Sequence, residues 1–243
     1  MKLFFYRLFR IQKIKSWLWS LLKHGNLRYF VVNTRYKFLE KNMRFLNYEN
    51  ESIGELTVKY NLTAFDIPRA AFGCGGRMEP LIYPIVSYYR KNRNLIKILV
   101  VGCRSEDDVF WLRSYGFSDT YGLDLFTYSK YTLIGDIHNT GYPEGLYDVV
   151  LLGWMISYTK DPATVFKECK RILKPEGLLG VGLDHNPKQH VDGIKPPRMN
   201  PLNSSGEIKK MLDETISHKL VYEYDHYCED DGRCVIISKM MPN

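Results

Sequence analysis

From residue 96 onward the apolar positions fall into an alternation of strand-length and helix-length patterns. Ile96-Lys97-Ile98-Leu99-Val100-Val101 is a nearly unbroken apolar run that stops at Gly102. Ser105 is placed to cap a helix whose acidic first turn, Glu106-Asp107-Asp108, suits the positive end of the helix dipole, and Gly116 ends it after Tyr115. A second strand, Asp119 to Leu123, runs into Asp124, and a short one, Tyr131 to Ile134, runs into Gly135-Asp136-Ile137. Leu146 to Leu152 is the apolar central strand, flanked by Gly145 and Gly153. Asp161-Pro162 opens a helix with Val165, Phe166, Cys169, Ile172 and Leu173 on one face. Lys174-Pro175-Glu176-Gly177 reads as a turn before a strand from Leu178 to Leu183. Leu220 to Tyr227 and Cys234 to Lys239 alternate as the two arms of a hairpin. Strands that alternate with helices predict an α/β domain built on a mainly parallel sheet.

Ahead of this region, Leu81, Ile82, Ile85, Val86 and Tyr89 predict a helix over 78–93, preceded by a glycine-rich loop at 72–77. At the N-terminus, Phe4, Leu8, Ile11, Ile14, Leu18, Leu21 and Leu22 fall on one helical stripe. Residues 1–48 hold eleven basic side chains and one acid, Glu40, although the whole chain is only +7. Basic residues beside Trp and Phe serve three roles equally: lying on an anionic membrane surface, packing on the catalytic domain or a second subunit, or meeting another polyanion. Packing is the reading placed first, and a peripheral membrane contact would run through residues 1–24.

No window is long and apolar enough for a spanning helix, and no signal-peptide core is present. Five cysteines without metal-type spacing point to reduced thiols in a cytoplasmic protein, and no metal site is expected.

Asp124 lies 22 residues beyond Gly102. In a βαβ nucleotide-binding unit, an acid at that distance stands at the tip of the second strand, where its carboxylate accepts hydrogen bonds from a ribose diol. Gly135-Asp136-Ile137, Pro143-Glu144, Tyr147-Asp148-Val149-Val150, Asp161-Pro162, Glu168 and Arg171-Ile172-Leu173-Lys174-Pro175-Glu176-Gly177, with the terminal hairpin, together resemble the class I S-adenosylmethionine (SAM)-dependent methyltransferases acting on small molecules and lipids. The resemblance covers residues 95–240. It implies a Rossmann-like seven-stranded sheet with an antiparallel last strand, preceded by a basic helical segment: 1–60 for the segment and 61–243 for the domain. It also implies SAM as cofactor. Gly102, Cys103, Arg104 and Ser105 would pass under the methionine half, Asp124 would bind the ribose, Leu125 would cover the adenine, and Asp136 with Ile137 would hold its edge. Gly153 and Trp154 would line the sulfonium and substrate pocket.

The first motif of that family has an acid two residues before its first glycine and two further glycines after it. Here those positions are Val100, Arg104 and Glu106. The expectation is an altered loop, with Arg104 or Glu106 at the methionine carboxylate or amine. Tyr158 and His185 are the candidate catalytic residues, with His138, His190 and Arg77 as further polar groups at the strand ends. The reading is methyl transfer to a small-molecule or lipid-linked acceptor, and its rival is an inactive methyltransferase-like binding or scaffold protein. A nucleic acid substrate is not expected, because no Asn-Pro-Pro-Tyr-type motif is present.

Overall fold

The structure, a computed structural model, describes residues 13–46, 58–59, 61–62, 76–185, 199–227 and 232–242. Residues 13–21 are helical, and α1 (Gly25–Leu39) follows after a short turn. Next come β1 (Arg44–Phe45), α2 (Glu79–Tyr88), β2 (Lys97–Val101), α3 (Asp107–Ser114), β3 (Asp119–Asp124), β4 (Phe126–Thr127) and β5 (Thr132–Ile134). β6 (Tyr147–Gly153), α4 (Pro162–Ile172), β7 (Leu173–Asp184), α5 (Ser205–Thr215), β8 (His218–His226) and β9 (Arg233–Met240) complete the chain.

Seven strands form one sheet in the order β5-β3-β2-β6-β7-β9-β8, and β1 pairs with β4 in a separate two-stranded sheet. β5, β3, β2, β6 and β7 pair in parallel, whereas β9 runs antiparallel to both of its neighbours. The expected seven-stranded sheet with a reversed last strand is what the chain forms.

The apolar runs are explained by burial on both faces of the sheet. Leu99 and Val101 of β2, with Val150 and Leu152 of β6, join the core under α4 and α5. Ile98, Val100, Val149 and Leu151 point the other way and pack with α2 and with Trp111 and Leu112 of α3. Asp161 caps α4 as expected: its carboxylate accepts the Thr164 N–H at 3.0 Å.

Three local expectations differ. The helix after Gly76 closes at Tyr88, because Arg93 folds back and donates to the carbonyls of Val86 at 2.7 Å and Tyr89 at 2.6 Å. Residues 174–177 make their turn as an excursion inside β7, between Leu173 opposite Tyr147 and Leu178 opposite Val149. In the N-terminal helix, Ile14 and Leu18 are exposed, and it is Trp19 and Leu22 that reach the core formed with Val32, Val109, Phe110, Phe126 and Tyr128. The stripe residues before 13, the loop at 72–75, His190 and the hairpin turn at 229–231 lie outside the described residues. Among the described residues no helix is long and apolar enough to cross a membrane, and no cluster suits a metal. Cys103, Cys169 and Cys234 are buried free thiols.

Candidate functional site

The residues with chemistry gather in the loops beyond the carboxyl ends of the parallel strands. β2 gives way at Gly102, where φ is +69° and an added Cβ would stand 2.7 Å from the Cβ of Met155. Two residues later Arg104 is also left-handed, at φ +53°. Its N–H donates to Asp124 Oδ2 at 2.8 Å, and its Nε donates to Asn61 Oδ1 at 2.9 Å. Arginine therefore occupies a backbone conformation that glycine takes without penalty.

Asp124 closes β3 and is 7% exposed. Its Oδ1 accepts the Leu125 N–H at 2.8 Å. Burial raises its pKa to about 6, against the opposing pull of the Arg104, Leu125 and Phe126 N–H groups. A sheltered carboxylate held this way keeps acceptor capacity for a hydroxyl donor. Leu125 is half-buried, and its carbonyl accepts the Leu46 N–H at 2.8 Å, so the N-terminal segment borders this position.

Beyond β5, Asp136 Oδ1 accepts from the His138 N–H at 2.9 Å and contacts His138 Nδ1 at 2.6 Å. The hydrogen bond with Asp136 raises the His138 pKa, and the other ring nitrogen meets Thr159 Oγ1. Ile137 is buried in the main core. Past β6, Trp154 has φ +59°, an outlying conformation for a bulky side chain and one found where function constrains the backbone. Its ring lies against Gly182, its Nε1 donates to Asp184 Oδ1 at 2.6 Å, and the Arg77 guanidinium sits 4.9 Å from its centre. Arg77 also bonds to Asp184. Tyr158, in the short 3-10 turn Ile156–Tyr158, is near enough to act on the charge of Arg77. His185 turns instead toward β8, where Nε2 pairs with Asp225, whose other oxygen accepts the Ser205 hydroxyl.

The structure thus joins Gly102, Cys103, Arg104, Asp124 and Leu125 in one group and Trp154 with Arg77 and Asp184 in another. It gives His185 a separate network.

Ser105 does not cap α3 in the expected manner. The cap position is Glu106, and the Ser105 hydroxyl accepts the Asp107 N–H at 3.3 Å. The two acids answer α1 instead. Arg35 donates two hydrogen bonds to Glu106, at 2.7 and 2.9 Å, and Ser129 donates a third. Arg28 Nε donates to Asp107 Oδ1 at 2.8 Å, and its guanidinium lies 4.2 Å from the Trp111 ring centre. Both oxygens of Glu106 are therefore engaged by Arg35 and Ser129. The available signal was the spacing Arg28, Val32, Arg35, which sets two arginines on one helical face.

Asp108 was also missed. Its Oδ1 is buried without a hydrogen-bond partner among the described residues. Burial and the neighbouring Asp107 raise its pKa to about 8.

Residues 99–181 match the family model described as a methyltransferase domain. The chain has the fold of the class I methyltransferases, and the family match covers about a third of it. Its fold is shared with 1,6-didemethyltoxoflavin-N1-methyltransferase of Burkholderia thailandensis, a structure with S-adenosylhomocysteine bound: TM-score 0.58, 10% identity, 82% of this chain and 95% of that one. A chain from the complex of the Haloferax volcanii Trm112 methyltransferase activator with a protein described as a methyltransferase gives TM-score 0.58 at 12% identity, over 79% and 99%. The PH0226 protein of Pyrococcus horikoshii OT3 gives 0.53 at 16%, over 68% and 90%. No curated protein matches the chain.

The residues present fit SAM at its adenosine end. Asp124 offers a buried acceptor at the tip of β3, next to the left-handed turn at Gly102. Toward the methionine end the side chains are bulkier than the family pattern, with Met155 packed over Gly102.

Proposed function

We propose that this chain binds SAM across the carboxyl ends of β2, β3 and β5 and transfers its methyl group to a small-molecule or lipid-linked acceptor. The observation that carries the reading is Asp124, buried at the end of the strand beside β2 and tied by Arg104 to the turn that opens at Gly102. In this reading Asp124 takes the ribose hydroxyls, Leu125 covers the adenine, and Asp136 with Ile137 borders its edge. Gly102 to Ser105 run beneath the methionine half, and Gly153 and Trp154 face the sulfonium. The bound cofactor supplies an electrophilic methyl carbon. The protein's part is to align a nucleophile about 3 to 3.5 Å from it and, for a hydroxyl acceptor, to remove a proton. His185, oriented by Asp225, has the chemistry for that proton, and Tyr158 is the candidate for orienting the acceptor. The small heterocycle bound by the Burkholderia enzyme supports a small acceptor.

Calorimetric titration with SAM, followed by a screen of acceptors against tritiated methyl donor, tests this. A second reading, a methyltransferase-like binding subunit without transfer activity, draws on Val100, Arg104 and Glu106 in place of the motif's acid and glycines. SAM binding decides against a site that has lost its cofactor.

A further inference from the structure

The first long helix of the chain presents apolar side chains on both of its sides. Along α1 Val32, with Tyr29, Val31, Tyr36 and Leu39, packs on the domain, while Arg28 and Arg35 pair with the acids at the head of α3. Three apolar residues face outward beside Asn26 and Lys37: Leu27 is 39% exposed, Phe30 65% and Phe38 74%. They lie three and eight residues apart, within about 80° of one another around the helix. The preceding helical stretch repeats the arrangement, with Ile14, Trp17 and Leu18 each more than half exposed. Single exposed apolar residues are ordinary on a protein surface, but two consecutive helices that present Trp, Phe, Leu and Ile outward are not.

The same stretch of chain carries Lys13, Lys15, Lys37, Lys41 and Arg44, all exposed, against one acid, Glu40, while Lys23 lies over the Tyr115 ring. We infer that this helical pair is a docking surface for an anionic phospholipid bilayer, with Trp17, Phe30 and Phe38 entering the interfacial layer and the lysines meeting the lipid phosphates. Charge selects this occupant over a second copy of the chain, since a symmetric contact would bring two strongly basic faces together. The lysine stems reach past apolar surface to the headgroups, which suits them to this border. Because α1 is pinned to α3 just after Gly102, docking would set the mouth of the proposed cofactor site close to the membrane. The inference does not depend on SAM binding or methyl transfer.

The test is flotation of the full chain with neutral phosphatidylcholine vesicles and with vesicles containing about 30% phosphatidylglycerol, at ionic strengths of about 0.1 M and about 0.5 M. Binding to the anionic vesicles alone, weakened by salt, is expected. Phe30→Ser with Phe38→Ser should weaken it about tenfold or more with an unchanged thermal midpoint, and Trp17→Ser on the other helix should weaken it independently. Lys37→Gln with Lys41→Gln should reduce the preference for anionic lipid. The inference is overturned if the wild-type chain stays at the bottom of the gradient, or if the Phe and Trp variants float as well as wild type. It is equally overturned if the chain is a homodimer that Phe30→Ser with Phe38→Ser dissociates.

Discussion

Replacing Arg35 with methionine removes the cation from a carboxylate that has no access to water. The Glu106 side chain is 0% exposed and that of Arg35 34%. Glu106 accepts two hydrogen bonds from the guanidinium, which also lies 5.5 Å from the centre of the Phe110 ring. Breaking a fully buried pair by removing one partner costs about 3 to 5 kcal/mol, mostly as the penalty of leaving the other charge unpaired. Partial exposure of Arg35 screens the attraction, and the Ser129 hydroxyl remains to Glu106, so the expected cost is about 2 to 4 kcal/mol. For a chain of this length that lowers the thermal midpoint by roughly 5 to 12 °C. Adding Glu106→Gln should recover about half of the loss or more, because the orphaned charge is then gone, and urea unfolding of the four proteins closes the double-mutant cycle. A midpoint within 2 °C of wild type for Arg35→Met, or strictly additive losses in the cycle, would refute the claim that α1 is held to the cofactor-side loop through this pair.

The remaining predictions concern the loop and its acids. Asp108 has a folded pKa raised to about 8, above its unfolded value of about 4. The folded chain therefore holds a proton that the unfolded chain releases, and this contribution to stability is lost as pH rises from about 4 to about 8. Asp108→Asn should raise the thermal midpoint more at pH 8 than at pH 5, and an equal shift at both would contradict this. Asp124 has a pKa of about 6, so SAM affinity, if it depends on the carboxylate, should fall up to about tenfold per pH unit below that value and level off above it. Affinity that is flat from pH 5 to pH 8 by calorimetry would argue against the ribose contact. Gly102→Ala forces a side chain into a left-handed turn and within 2.7 Å of Met155, and should cost about 2 to 4 kcal/mol in urea unfolding. Loss of less than about 1 kcal/mol would mean that the turn relaxes freely.

The central strands were legible because they are buried on both faces. Ile98 to Val101 and Val149 to Leu152 have no exposed residue to disguise their period. The Asp161 cap and the approach of Asp124 to the Gly102 turn were legible because both follow from short-range spacing. What could not be read was long-range choice. Glu106 and Asp107 suit a helix dipole in isolation, yet their partners lie 71 and 79 residues away on α1. Of the N-terminal stripe Ile14 and Leu18 are exposed and Leu22 meets the core, together with Trp19, which lay off the stripe; periodicity does not say which side meets the protein. Arg104 illustrates the same limit at one residue. Its identity suggested a displaced loop, whereas its φ of +53° keeps a conformation natural to glycine. His185 stood at the expected strand end, but only the structure links it to Asp225 and Ser205.

The most direct measurement is calorimetric titration of SAM into the wild-type chain and into Asp124→Asn at pH 7.5. One site per chain is predicted for the wild type, with affinity reduced about tenfold to a hundredfold in the variant, as expected when a hydrogen bond to a charged acceptor is lost. Absence of binding by the wild-type chain, or undiminished binding by a folded Asp124→Asn, would contradict the proposed use of this carboxylate.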